Sequence, residues 1–151
     1  MVRVGVVGLG TMGQHHTRVY SQLGCELVGV ADVDLGKARE VGRQYDIPYY
    51  DDYRRLISRT DAVSIVVPTS LHFEVAMDFL HRGIHCLVEK PIASRLEDGE
   101  EMLRVARNMH AKLAVGHVER FNPVVASLKR IIDQGVLGGI MIISTRRVGT
   151  F

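Results

Sequence analysis

Arg3-Val4-Gly5-Val6-Val7-Gly8-Leu9-Gly10-Thr11-Met12-Gly13 is the stretch on which the reading of the whole chain turns. The run from Arg3 to Val7 is short, apolar and rich in β-branched residues, the signature of a strand buried on both faces. It leads directly into a G-x-G-x-x-G and then into a segment of helical period, so the glycines sit at a strand-to-helix turn. In that context each glycine has a task. Gly8 permits the tight turn, Gly10 lets a pyrophosphate approach the backbone, and Gly13 allows the helix to press against the strand. The first helical turn then offers the N–H groups of Thr11, Met12 and Gly13, with the positive end of the helix dipole, to an anionic ligand. A bare glycine motif also occurs as a turn without a ligand, but a strand before it, a helix after it and an acid further along the chain weigh against that reading.

Nineteen residues after Gly13, Asp32 ends a second apolar run, Glu26 to Ala31. A carboxylate at the end of the second strand accepts hydrogen bonds from the adenosine ribose hydroxyls and repels a 2′-phosphate, so NAD is favoured over NADP. Lys37 and Arg39 are near enough in sequence to favour a phosphate if the loop bends inward. The alternative role for an acid here is a turn or helix cap, for which Asp34 is the better candidate.

Further apolar runs at Ile47 to Tyr50, Ala62 to Val67, His85 to Val88 and Leu113 to Gly116 alternate with helical periods. Six such runs separated by helices predict an α/β fold, a Rossmann-type doubly wound parallel sheet. Gly24 and Gly83 follow helical runs, Ser94 and Glu97 have capping-box spacing, and Asn122-Pro123 supplies a cap and first turn before a stop at Gly135. Two apolar stripes are predicted to be core: Leu96, Met102, Leu103, Ala106 and Met109 on one helix, and Val124, Val125, Leu128, Ile131 and Ile132 on the next. After Gly139 the pattern changes, and Ile140 to Val148 is a long strand candidate following a helix. The predicted division is a dinucleotide-binding domain over residues 1–120, then a connecting helix and the first strand of a second domain over 121–151.

Composition excludes several classes. With 46% hydrophobic and 24% charged residues the 151-residue chain is of ordinary globular make-up, neither disordered nor a disulfide scaffold. Nineteen basic and seventeen acidic residues are interspersed, which argues against a nucleic-acid groove. Cys25 and Cys86 lie far apart in apolar surroundings and read as reduced core thiols. The seven His do not fall at zinc spacing with them, and the neighbours His15 and His16 point to different sides of a helix, so no metal site is expected. The start of the chain lacks the features of a cleaved leader, and no apolar run approaches the ~18 residues that span a bilayer. A cytoplasmic protein without a membrane partner is expected.

Glu89-Lys90-Pro91 closes the fifth strand with two charges where a core strand ends, on the edge at which a parallel sheet keeps its ligands. Lys90 there is placed to donate to, or take a proton from, a reacting hydroxyl beside the nicotinamide. A solvated ion pair at a strand end is the other reading of the same two charges.

Gly8 to Gly13, Asp32, Val66-Val67-Pro68-Thr69-Ser70-Leu71-His72, Gly83 to Pro91 and Arg120-Phe121-Asn122-Pro123 together resemble the Gfo/Idh/MocA oxidoreductase family over essentially the whole chain. The Glu-Lys-Pro phrase, joined to the glycine motif and the Pro-Thr segment, is the most specific part. The resemblance implies that Pro68 and Thr69 line the cofactor with His72 close by, and that Glu89 and Lys90 sit where nicotinamide meets substrate. It also implies that Arg120 and Phe121 border the same cleft. Family members pass hydride between nicotinamide and a ring carbon of sugars, cyclitols or related polyols. The phrase from Gly116 to Pro123 is similar to members that oxidise the 3-hydroxyl of nucleotide-activated amino sugars.

Members also carry an α+β substrate domain on an open sheet, and Gly139 to Phe151 resembles its first strand. The chain thus reads as the cofactor half of a dehydrogenase, with a non-catalytic dinucleotide-binding or sensing module as the alternative. A methyltransferase leaves Glu89-Lys90-Pro91 unexplained. A strand with two free edges needs a partner, so a homodimer through residues 140–148 is expected.

Overall fold

The computed structural model describes residues 1–146, in which every apolar run before residue 117 becomes a strand. The order is β1 (Arg3–Val7), α1 (Thr11–Gln22), β2 (Glu26–Ala31), α2 (Leu35–Tyr45), β3 (Tyr49–Tyr50), β4 (Ala62–Ile65), α3 (His72–Leu80), β5 (His85–Val88), α4 (Leu96–Asn108), β6 (Leu113–Val115) and α5 (Pro123–Asp133). Strands β3, β4 and β6 are shorter than the sequence predicts. Asp32, on the loop just past β2, donates its N–H to the carbonyl of Tyr50, at the end of β3, at 3.1 Å, so the β2–β3 pairing runs into a loop contact.

All five strand pairs are parallel, in the order β3-β2-β1-β4-β5-β6. The chain starts in the middle, builds outward to β3, then returns to build from β4 to β6. The carboxyl ends of β1 and β4 therefore flank the point where strand order reverses, the place at which such sheets leave a crevice.

Because successive strand residues face opposite sides, neighbours in β1 join different cores. Val6, with Val30, Leu9 and the α2 residues Ala38 and Val41, forms one cluster. Val7, Val63, Ile65, Cys86 and Val88 pack beneath Val75, Phe79 and Leu80 of α3 and Met102 and Val105 of α4.

Asp34 caps α2 by accepting from the N–H groups of Gly36 at 2.9 Å and Lys37 at 3.2 Å. The Ser94–Glu97 capping box does not form. The helix starts at Leu96 with Arg95 at its cap position and no side-chain cap, which leaves Ser94 one residue too early. The predicted stripe of α4 is also rotated: Gly99, Met102, Val105 and Ala106 are buried, while Leu96 is 74% exposed and Leu103 and Met109 also lie in solvent.

The chain divides into two compact units, Met1–Gly116 and the residues from His117 onward. In the second, Asn122 caps α5 by accepting from Val124 N–H at 3.0 Å, with Pro123 in the first turn. The helix buries none of its residues, so its predicted core stripe is corrected to a partly or wholly exposed face, with Val124 75% exposed. Residues 140–146 form no strand, against the extended reading from Ile140; positions 147 and 148 of that reading lie outside the described residues. An isolated strand has no neighbour to receive its N–H and C=O groups, and none of the described strands pairs with it. No helix among the described residues is long and apolar enough to cross a membrane.

Candidate functional site

The site is built from the carboxyl ends of β1, β2, β4 and β5. Gly8 has φ +89°, and a Cβ there would stand 2.5 Å from the Val66 carbonyl oxygen, so glycine is required by both conformation and the approach of β4. A Cβ on Gly13 would fall 1.8 Å from the Gly8 carbonyl, which shows how closely the first turn of α1 lies on the loop. Gly10 differs from both, because a Cβ there would meet nothing within 4 Å. Its hydrogen faces open space, in a cleft of about 300 Å³ that Gly8, Asp32, Val33, Lys37, Val66 and Pro68 help to line. No side chain caps α1, whose first turn at Thr11 and Met12 is exposed.

Asp32 ties the glycine turn to β2. Its Oδ2 accepts from Leu9 N–H at 2.7 Å and its Oδ1 from Asp34 N–H at 2.9 Å. Each oxygen keeps acceptor capacity for a further donor, and the residue is half-buried at the cleft. The helix-cap role belongs to Asp34, as its spacing predicts. Sequence reasoning missed Asp51 and Tyr53 on the cleft wall, and their position just past β3 was the available signal. Burial and the hydrogen bond to Asp78 push the Tyr53 phenol above its ordinary range, so it serves as a neutral donor.

Beyond β4, Pro68 is exposed and Thr69 half-buried at the start of a short 3₁₀ turn, Thr69–Leu71, that leads into α3. His72 is only 1% exposed. Its Nδ1 lies 2.9 Å from the Pro91 carbonyl oxygen and its Nε2 2.9 Å from that of Val67. The ring therefore braces the loop after β4 against the loop after β5, and both ring nitrogens are engaged in doing so.

At the end of β5, Lys90 is exposed and Glu89 is buried, so the two charges are not a solvated pair. The Lys90–Pro91 peptide is cis. Glu89 Oε2 accepts from Lys90 N–H at 3.1 Å, and Oε1 lies 3.3 Å from His16 Nε2. His16 Nδ1 is 2.7 Å from Ser64 Oγ. Burial raises the Tyr20 phenol, an effect that a hydrogen bond with Ser64 opposes. The sequence marks His16 only as half of an adjacent pair, and its link to Glu89 depends on the fold bringing α1 beside Ser64 of β4 and the end of β5. Arg120 falls in the 3₁₀ turn Val118–Phe121 of the second unit. Among the described residues no group of three His, Cys, Asp or Glu is arranged to hold a metal ion.

A dinucleotide fits these residues. The space beside Gly10 and the uncapped α1 terminus suit a diphosphate, Asp32 has free acceptor capacity for ribose hydroxyls, and Val33, Val66 and Pro68 offer apolar surface to a base.

Comparison with known proteins agrees. UDP-N-acetylglucosamine 3-dehydrogenase from Acidithiobacillus ferrooxidans is 36% identical over 129 residues, covering 85% of this chain and 41% of the relative. Its solved structure superposes with a TM-score of 0.82. The scyllo-inositol 2-dehydrogenase (NAD(+)) of Bacillus subtilis is 36% identical over 142 residues, 91% of this chain and 42% of that protein. The WlbA dehydrogenase from Bordetella pertussis, solved with NADH and UDP-GlcNAcA, is 27% identical with a TM-score of 0.86, over 91% of this chain and 43% of its own. The chain thus spans less than half the length of each relative. Residues 2–117 match the family model described as an oxidoreductase family with an NAD-binding Rossmann fold, and the chain belongs to that Gfo/Idh/MocA family.

Proposed function

We propose that this chain is the nucleotide-binding half of an NAD-dependent dehydrogenase acting on a hydroxyl or keto carbon of a sugar, nucleotide sugar or polyol. The observation that carries the reading is that the glycine turn and Asp32 line one cleft, while Lys90 follows β5 at the same carboxyl edge of the parallel sheet, on the other side of its switch point. Gly10, Thr11, Met12 and Gly13 hold the diphosphate by backbone N–H groups, and Asp32 accepts from the adenosine ribose. Pro68, Thr69 and Glu89 frame the nicotinamide end, which His72 braces from behind. When bound, NAD supplies the hydride acceptor. Lys90 Nζ, as the neutral amine, would take the hydroxyl proton while the hydride leaves the ring carbon for the nicotinamide, and as the ammonium would return it in the reverse direction.

The nucleotide-sugar and inositol dehydrogenases among the relatives support this substrate class. The same reading assigns residues 1–120 to cofactor binding and 121–151 to a connecting helix and the start of a substrate domain, in a cytoplasmic protein. Exposed Ile142 and Ile143 favour self-association through residues 140–148, which light scattering at high micromolar concentration tests; a monomer rejects it.

Calorimetry with NADH tests the core of the proposal. Gly10→Val leaves the fold intact, because a Cβ there meets no protein atom within 4 Å, and lowers NADH affinity by about a hundredfold or more by filling the diphosphate path. Equal affinity in variant and parent rejects the assignment.

A further inference from the structure

The buried polar line from α1 to the end of β5 is unexplained by a cofactor cleft alone. Glu89 is 9% exposed, and its Oε1 has no hydrogen-bond partner among the described residues, since the 3.3 Å approach of His16 Nε2 is off the hydrogen-bonding geometry. An under-satisfied carboxylate out of water is unfavourable, and an apolar side chain of similar size would pack there at less cost. Its presence points to what it does to its neighbours.

Four elements converge on it. His16 comes from α1, the helix opened by the glycine turn, and is anchored 2.7 Å from Ser64 of β4. Glu89 stands at the end of β5 and receives the Lys90 N–H at 3.1 Å. Gly116, just past β6, leaves the carboxylate room, because a Cβ there would lie 2.6 Å from Oε1. The line thus runs from the helix that carries the diphosphate site, through His16 and Glu89, to the backbone of Lys90. Sheet order gives it a direction. Asp32 follows β2 and the glycine turn follows β1, so a dinucleotide crossing from one to the other lays its second half over β4 and β5.

We propose that His16 and Glu89 are positioning residues that set the Lys90 backbone against α1, so that the nicotinamide end of the site is held in register with the diphosphate end. This rests on the NAD reading, and the test separates the two.

NADH and ADP-ribose are titrated calorimetrically against the parent chain and against Glu89→Ala, His16→Ala, Glu89→Gln and Gly116→Ala, with circular dichroism as the check on folding. ADP-ribose has the adenosine and diphosphate but no nicotinamide. Glu89→Ala and His16→Ala are expected to lose about tenfold in NADH affinity while ADP-ribose changes less than about twofold. Glu89→Gln keeps an acceptor for the Lys90 N–H and restores NADH binding. Gly116→Ala displaces the carboxylate with His16 and Glu89 both intact, so it reproduces the selective loss even if an alanine at 89 fails to fold. Losses that are equal for the two ligands, absent from all variants, or as large in Glu89→Gln as in Glu89→Ala overturn the positioning role. A parent chain that binds neither ligand overturns the NAD reading, and this inference with it.

Discussion

The sheet unit up to Gly116 and the helix α5 beyond it carry equally clear apolar patterns and use them differently. In the first, Phe79, Leu80, Ile65 and Met102 are buried completely between α3, α4 and the sheet. In the second, Val124, Val125, Leu128 and Ile131 are exposed, although they repeat along one face as regularly. Periodicity states that a face prefers burial. Whether it is buried depends on a second surface, and within this unit Leu128 and Ile132 share only an open hollow with Leu137, Ile140 and Met141, which buries no residue of the helix.

The largest expected effect is in the core. Phe79→Ala should destabilise the chain by ~3–5 kcal/mol in chemical denaturation, since it opens a void in a closed interior. Leu128→Ala should change stability by no more than about 0.5 kcal/mol. A loss at Leu128 that approaches the loss at Phe79 breaks the contrast, and means that α5 is covered in solution.

A middle-sized effect is expected at Asp32, which belongs wholly to the first unit. Asp32→Ala removes the charge that repels a 2′-phosphate, so the ratio of NADP to NAD affinity should rise by about tenfold, read by calorimetry with both nucleotides. It also strips acceptors from the Leu9 and Asp34 N–H groups, and a melt should register that cost as a lower midpoint. An unchanged ratio with a lowered midpoint makes Asp32 a structural anchor only.

The two cysteines sharpen the comparison inside the first unit. Burial pushes the Cys86 thiol up to about 12, whereas Cys25 is half-buried near the end of α1. Brief iodoacetamide treatment of the native chain near pH 8, read by mass spectrometry, should label Cys25 in preference to Cys86. Prompt labelling of Cys86 would reveal opening of the core between α3 and the sheet.

The smallest effect compares two exposed ion pairs. Lys129–Asp133 spans one turn of α5, whereas Arg3–Asp61 joins β1 to the residue before β4. Hydrogen bonds from the Arg3 side chain and backbone hold the Asp61 carboxyl down at about 2, against an ordinary 3.8. Because the folded-state value is the lower one, the stability this pair adds is present above about pH 4 and is lost as pH falls toward 2. Asp61→Asn should therefore be slightly less stable than the parent near neutrality, with the difference closing over that range. A gap that persists at about pH 2 assigns the effect to something other than the charge.

Much of the site was legible in the chain because the relevant forces are local. Gly8 and Gly13 are demanded by contacts within a few residues or with the adjoining strand, and Asp34 caps the helix that follows it by accepting an N–H two residues away. The errors share a cause. Ser94 has the right partner at the right spacing, yet the helix begins at Leu96, one residue too late for Ser94 to cap it. In α4 the wider apolar set included Leu96 and Leu103, but only the strip from Gly99 through Met102 to Ala106, with Val105, meets α3 and the sheet. Periodicity defines an arc, and packing selects the part of it that is used.

By itself, then, the sequence determined the order of strands and helices, the strand-to-helix glycine turn and the acid that ends β2, because steric limits on the backbone and the alternation of apolar residues act over short separations. Only the tertiary structure decided that His16 meets Ser64 and Glu89, that His72 clasps two loops from within, and that the apolar face of α5 is nowhere fully buried. Those contacts join residues from different elements, and no spacing along the chain encodes which side chains the crossing of a helix over a sheet will bring together.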